Sequence, residues 1–362
     1  MTPAVLDSPA ASPSTQVTSR RVLVLGGSGL IGRGIVNILK IRGDQPVILS
    51  RDPEAARRRF GSSQANGVAT TQLEWVQGDP TQEGPWTEEV ARADAVINLV
   101  GHPVFPSGPV AFLSQRWNQA TKNLIRSSRV ESTRLVSQAI ARARETRGQG
   151  PAVWVQASAI GYYGPTGDAE LDESAPPGSD FLAEVCVEWE RMTETARSQG
   201  VRVVVVRVGV VLEPTGGALS VMVPLFRWIP GAAAPVGGLP GYNPLLPSNG
   251  AQWLSWIHHR DIVALFLWAL DHPELTGPLN GTAPKPVRNA EFTRELAAVL
   301  KRPALPIGPP KALMRLLLGE GADVIATGQR VLPRRALEGG FAFAFPDLKP
   351  ALEDFFRPRS NR

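Results

Sequence analysis

The chain has 362 residues, 43% apolar and 20% charged. It is long enough for a full hydrophobic core, and neither disorder throughout nor a collagen-like repeat fits. The net charge is +5, and Arg20, Arg21, Arg357, Arg359 and Arg362 set against Asp7 account for four of it. The body is therefore near neutral and carries no nucleic-acid footprint.

Residues 1–20 are rich in Ser, Thr, Pro and Ala and lack an apolar signal core, so they read as a disordered tail. Basic residues appear only at the end of this tail, which argues against a transit peptide. A cytoplasmic location is expected, with plastid import left open. Arg21–Leu25 (RVLVL) predicts a strand that runs into a glycine loop. Gly29–Lys40 has helical spacing of Leu30, Ile31, Ile35, Ile38 and Leu39, and Gly43 ends it. Further strands are predicted at Pro46–Leu49, Leu73–Val76, Ala95–Val100, Val153–Ala157 and Arg202–Arg207, with a long helix over Asn123–Ala143. Arg57, Arg58 and Arg59 read as a solvated helix face. Apolar strands that hardly alternate, separated by helices, indicate α/β architecture: a doubly wound parallel sheet covered on both faces.

After Gly209 the composition changes. Residues 229–250 are rich in Gly and Pro and read as a lid, a linker or a disordered loop. Trp253–Ile257 returns to strand composition. Helices are predicted at Asp261–Leu270, Asn289–Leu300, Pro310–Leu318 and Asp347–Phe356. The expected organisation is a nucleotide-binding domain over 21–270 and a small, mainly helical C-terminal region over 300–356. No run of about 18 apolar residues occurs, so no membrane span is predicted. With one cysteine, Cys186, neither an internal disulfide nor a cysteine-based zinc site is expected. No metal cluster is visible.

The glycine loop reads Gly26-Gly27-Ser28-Gly29-Leu30-Ile31-Gly32, directly after a strand and opening a helix. Glycines here permit a tight turn and close approach of a diphosphate to helix-start amides. Gly26, Ser28, Gly29, Leu30, Ile31 and Gly32 are the expected diphosphate cradle. At the end of the second strand an acid would bind ribose hydroxyls, but this chain has Ser50-Arg51. A guanidinium pairs with a 2′-phosphate, so NADP (NADPH) is the expected cofactor, with Asp52 as competitor. Asp79 fits an adenine-edge contact. Asn98, Val100 and Gly101 are expected to line the cofactor crevice.

These residues lead to a resemblance. The chain resembles the extended short-chain dehydrogenase/reductases, and more closely the atypical "epimerase family" of NADP-dependent oxidoreductases with a C-terminal domain of unknown function. The carrying segments are Gly26–Arg33, Val96–Val104, Arg116–Thr133, Ala157–Asp168, Asp180–Glu190, Trp253–Val263 and Gly328–Arg335. The resemblance implies a Rossmann domain and a small-molecule substrate. Reductases of the superfamily use Ser with Tyr-x-x-x-Lys. Ser158 matches the serine, but the matching stretch Phe181–Cys186 supplies neither phenol nor ammonium.

Tyr163 and His258 are therefore the other candidate catalytic residues, His258 because imidazole titrates near neutrality. Tyr162, Glu184 and Cys186 are further candidate acids. Lys122 and Arg116 are candidates for an anionic substrate group. The expected activity is an oxidoreductase, or an epimerase that uses bound cofactor transiently, acting on a small carbonyl or alcohol. The alternative is an NADP-binding regulator with little catalysis, linked to a cell-division partner, since some plant and cyanobacterial relatives carry a division-inhibitor label. A homodimer is compatible with the sequence.

Overall fold

The computed structural model describes residues 19–61, 73–108, 111, 116–228, 250–302, 315–316 and 318–356. The predicted tail, nearly all of the 229–250 loop and most of the predicted Pro310–Leu318 helix lie outside the described residues.

Nine strands matter to the site: β1 (Arg21–Leu25), β2 (Gln45–Ser50), β3 (Glu74–Gln77), β4 (Ala95–Asn98), β5 (Val153–Ala159), β6 (Arg202–Val208), β7 (Val210–Glu213), β8 (Trp256–His258) and β9 (Gly277–Gly281). The main helices are α1 (Leu30–Ile41), α2 (Pro53–Gly61), α3 (Gln119–Arg147), α4 (Phe181–Arg191), α5 (His259–Asp271), α6 (Asn289–Val299) and α7 (Leu348–Phe356).

Seven strands form one sheet in the order β9-β6-β5-β4-β1-β2-β3, all pairs parallel. The chain runs outward one way from β1 to β3 and the other way from β4 to β9. The order reverses between β1 and β4, which opens a crevice at their carboxyl ends.

The apolar strands have a direct reason. In β1, Val22 and Val24 pack with Ile35, Leu39 and Ile262 on one face, while Leu23 and Leu25 pack with Leu135, Val136 and Ile140 on the other. Each such buried side chain contributes roughly 1.5–3 kcal/mol of transfer free energy. A third cluster joins Leu212, Trp256, Phe292 and Leu296 to Leu348 and Leu352 of α7, so the C-terminal helix packs on the chain after β7.

Most element boundaries shift by one to four residues from expectation, the long helix most, and two of the differences shape the site. The fourth strand stops at Asn98 rather than Val100, because the Asn98 side-chain oxygen accepts the Val100 amide at 3.1 Å and turns the chain. The predicted Trp253–Ile257 strand is two short ladders, Trp253–Leu254 and Trp256–His258. Ser255 divides them: its hydroxyl donates to the Gln329 carbonyl at 2.7 Å and accepts the Val331 amide at 2.9 Å. The long helix α3 is capped by Asn118, whose side chain accepts from the Thr121 amide, and ends at Gly148. Arg57, Arg58 and Arg59 lie exposed on α2, as expected.

Candidate functional site

Gly26 turns the chain at φ 77°, a left-handed value that side chains resist. Its carbonyl accepts the Gly29 amide at 2.9 Å. Helix α1 starts with Gly29 at its N-cap; no side chain caps it, and its first turn holds no acid. The leading amides and the positive end of the dipole are thus left for an anion. Gly32 lets the helix close on the loop, since a Cβ there would lie 2.3 Å from the Gly26 oxygen and 2.7 Å from the Gly27 Cα. This cradle fits a diphosphate and would be filled by any side chain. Ser28, Leu30 and Ile31 are half-buried around it. The loop meets β4 across the crevice, with Leu99 packed against Gly26.

At the end of β2 the two competing residues separate. Asp52 accepts the Ala55 amide at 2.9 Å at the start of α2, and its own amide donates to the Ser50 hydroxyl at 3.2 Å. Arg51 is exposed and makes no hydrogen bond or ion pair among the described residues. Its charge reaches the crevice: His102, just past Gly101, has its pKa lowered by burial and by the nearby Arg129 and Arg51. Asp79 accepts both the amide and the hydroxyl of Thr81 through one oxygen, at 2.9 and 2.7 Å.

Val100 and Gly101 are accessible past β4. Asn98 is not, which corrects its expected place in the crevice lining. It is fully buried, and its amide donates to Gln156 at 3.0 Å while its carbonyl oxygen holds Val100. It shapes the lip of the crevice from beneath.

Ser158 and Tyr163 share one buried network. The Ser158 hydroxyl donates to Glu190 at 2.7 Å, and Arg207 donates to both Glu190 oxygens at 2.9 Å. Arg207 also donates to the Tyr163 oxygen at 3.0 Å, and that hydroxyl donates to Asn280 at 2.7 Å. Burial pushes the Tyr163 phenol up to about 12, Arg207 and Asn280 offsetting only part of it. Tyr163 is thus buried, with its hydroxyl engaged on both sides by Arg207 and Asn280. His258 lies apart from this network. It is 1% exposed, stacked between Phe345 and Phe355 with centroids 3.8 and 4.3 Å away, and its Nδ1 accepts the Arg260 amide at 3.0 Å. Burial, with Arg260 and His259 beside it, pushes it down to about 3. It caps α5 under the C-terminal helix, with its Nε2 3.5 Å from an Asp354 carboxylate oxygen.

Among the remaining acids, Glu184 is exposed and faces Arg126 at 3.4 Å. Cys186 is buried, and burial pushes its thiol up to about 12. Tyr162 differs: it is half-buried, its ring lies 3.4 Å from the Arg207 guanidinium, and its hydroxyl has no partner among the described residues. Lys122 pairs with Glu320, and Arg116 is exposed. The sequence reading missed Glu190, Arg207 and Arg129. An arginine inside a run of buried valines was the available signal for Arg207.

Comparison with known proteins places these features. The family model described as the NAD dependent epimerase/dehydratase family matches residues 22–280, and a domain of unknown function (DUF1731) matches residues 309–355. The chain is 38% identical over 344 residues to the "Epimerase family protein SDR39U1 homolog, chloroplastic" of Arabidopsis thaliana, covering 94% of this chain and 87% of that protein. It is 36% identical over 339 residues to the Bos taurus epimerase family protein SDR39U1, covering 92% and 99%. Among solved structures, the human epimerase family protein SDR39U1 with NADPH matches at TM-score 0.71 and 30% identity over 92% of this chain and 98% of that one. The Thermus thermophilus UDP-glucose 4-epimerase with NAD matches at TM-score 0.64 and 18% identity, over 94% and 99%, a likeness of fold alone.

Proposed function

The chain belongs to the NAD-dependent epimerase/dehydratase family, and on that footing we propose that it is an NADP-dependent oxidoreductase or epimerase acting on a small carbonyl or alcohol. The observation that carries the reading is one juxtaposition: an uncapped α1 start behind Gly26–Gly32, with the free Arg51 guanidinium at the end of the neighbouring strand. Backbone at Gly26, Ser28, Gly29, Leu30, Ile31 and Gly32 would hold the diphosphate. Arg51 with Ser50 would hold the 2′-phosphate, Asp79 the adenine edge, and Val100 and Gly101 would lie under the nicotinamide half. That a relative is crystallised with NADPH supports the choice.

Bound NADPH supplies a hydride. A carbonyl reduced by it also needs a proton, and among the described residues Tyr162 is the phenol free to deliver one at the end of β5. Ser158 and Tyr163 would act beneath it, through Glu190 and Arg207, by fixing the turn Ile160–Tyr163 that carries Tyr162. The relatives named above carry no cell-division description, so the regulator reading gains no support.

The test is a binding titration of NADPH against NADH, followed by turnover with a panel of small carbonyls and alcohols. NADPH is expected to bind more tightly, and Tyr162→Phe to slow turnover about 100-fold or more with binding unchanged. Net NADPH oxidation indicates a reductase, and conversion without net redox change an epimerase. Protein that retains neither nucleotide at millimolar supply overturns the reading.

A further inference from the structure

Helix α4 lacks the lysine of the superfamily element, yet the crevice beside it holds a cation. Arg129 of α3 donates to the His102 carbonyl at 2.9 Å and to its own helix at Ile125, 3.0 Å, both through one nitrogen. Among the described residues no carboxylate pairs with it, and its other two nitrogens take no partner. The contrast with Arg207 is direct: that buried guanidinium is held by both oxygens of Glu190. A cation set into a protein without a counter-ion is costly, and a ligand that uses its donors is a reason for it to persist.

Its place is specific. A Cβ built on Gly101, the exposed residue past β4, would lie 3.0 Å from the Arg129 guanidinium carbon. The guanidinium also lies 5.2 Å from the Trp189 ring of α4, about one turn after Val185 and Cys186, the two positions matching the missing lysine. Burial lowers the Arg129 pKa, and the neighbouring Cys186 thiol is the group that opposes it. Sheet order then decides which half of a dinucleotide it meets. The diphosphate cradle sits on β1, and Arg51 marks the adenosine side at β2. Gly101 and Trp189 lie on the other side of the switch point, with β4 and β5.

We infer that Arg129, from α3, supplies the cation for the nicotinamide half of the cofactor in place of the absent α4 lysine, its free nitrogens donating to the nicotinamide-side ribose hydroxyls. The inference rests on the NADP reading above. It makes Arg129 a cofactor-binding residue that no motif at the usual position announces.

The experiment is calorimetric titration of the full chain, wild type, Arg129→Met and Arg51→Ala, with NADPH and with adenosine 2′,5′-bisphosphate, which lacks the nicotinamide half. Arg129→Met is expected to weaken NADPH about tenfold and leave the bisphosphate within twofold. Arg51→Ala is expected to weaken both. Arg129→Lys, which keeps the charge, is expected to recover most of the NADPH affinity. An Arg129→Met protein that binds NADPH within twofold of wild type overturns the inference, and so does equal weakening of both ligands. The first of these results would point instead to an anionic substrate. Unchanged bisphosphate binding shows that the variant is folded. Wild type that binds neither ligand defeats the NADP reading itself, a result distinct from the other two.

Discussion

Glu190 grips Arg207 through both carboxylate oxygens, each 2.9 Å from a guanidinium nitrogen, and accepts the Ser158 hydroxyl at 2.7 Å. Ser158 and Arg207 are register partners on adjacent strands, so one residue of α4 ties that helix to β5 and β6 together. The pair is well withdrawn from water, with side chains 4% and 15% exposed. Removing one partner should therefore cost more than the pair contributes. Glu190→Ala is expected to destabilise by about 3–5 kcal/mol. Glu190→Gln, which still accepts from Arg207, should cost less. Urea unfolding of the two variants checks both values, and an alanine variant within 1 kcal/mol of wild type would show that the pair carries no such weight.

The 2′-phosphate reading predicts a change of preference rather than a loss of binding. Charge-assisted hydrogen bonds of this kind are worth about 1.5–3 kcal/mol. Arg51→Ala should then weaken NADPH about tenfold to a hundredfold and leave NADH nearly unchanged. Parallel fluorescence titrations measure the ratio. An unaltered NADPH:NADH ratio removes Arg51 from the site.

Gly32 is required by contact with backbone, which cannot rotate away as a side chain can. Gly32→Ala is expected to cost about 2–3 kcal/mol and to abolish nucleotide binding, because the new methyl meets the Gly26 carbonyl. Thermal melting and NADPH titration report the two effects separately. A variant that binds normally would mean the cradle has slack.

His258 makes a pH-dependent contribution whose sign follows from its direction. Its pKa is about 3 in the folded chain, against 6.5 as the ordinary value. Between those limits the unfolded chain binds more protons, so folding stability falls as pH drops through 6.5 towards 3. The loss from this one group reaches about 3 kcal/mol by pH 4. His258→Asn should keep a cap for the Arg260 amide and flatten that part of the profile. Denaturant unfolding of both proteins at several pH values between 4 and 7 gives the comparison. Parallel profiles would show that His258 titrates alike in the folded and the unfolded chain.

Much of the fold was legible because burial on both faces leaves strands without polar alternation, and helices between them show their own period. The glycine loop was legible for a similar reason, since each glycine answers a local backbone need. Arg51 was legible only as one of two neighbours. The structure separated them by giving Asp52 to the start of α2. The burial of Tyr163 and His258 was not legible, because titration depends on solvent and partners, and neither is written in residue identity. Glu190, Arg207 and Arg129 were missed because their partners outside their own helices lie 17 to 44 positions away in the chain.

By itself the sequence determined the parallel sheet, the phosphate cradle at the first strand and the absence of a Tyr-x-x-x-Lys acid, since each rests on residues adjacent in the chain. Among the described residues, tertiary structure alone decided that the Tyr162 hydroxyl is free, that His258 is buried and that Arg129 is set beside the crevice without a carboxylate. Those properties arise where packing brings distant charges together or shuts water out, and only the folded chain sets those distances.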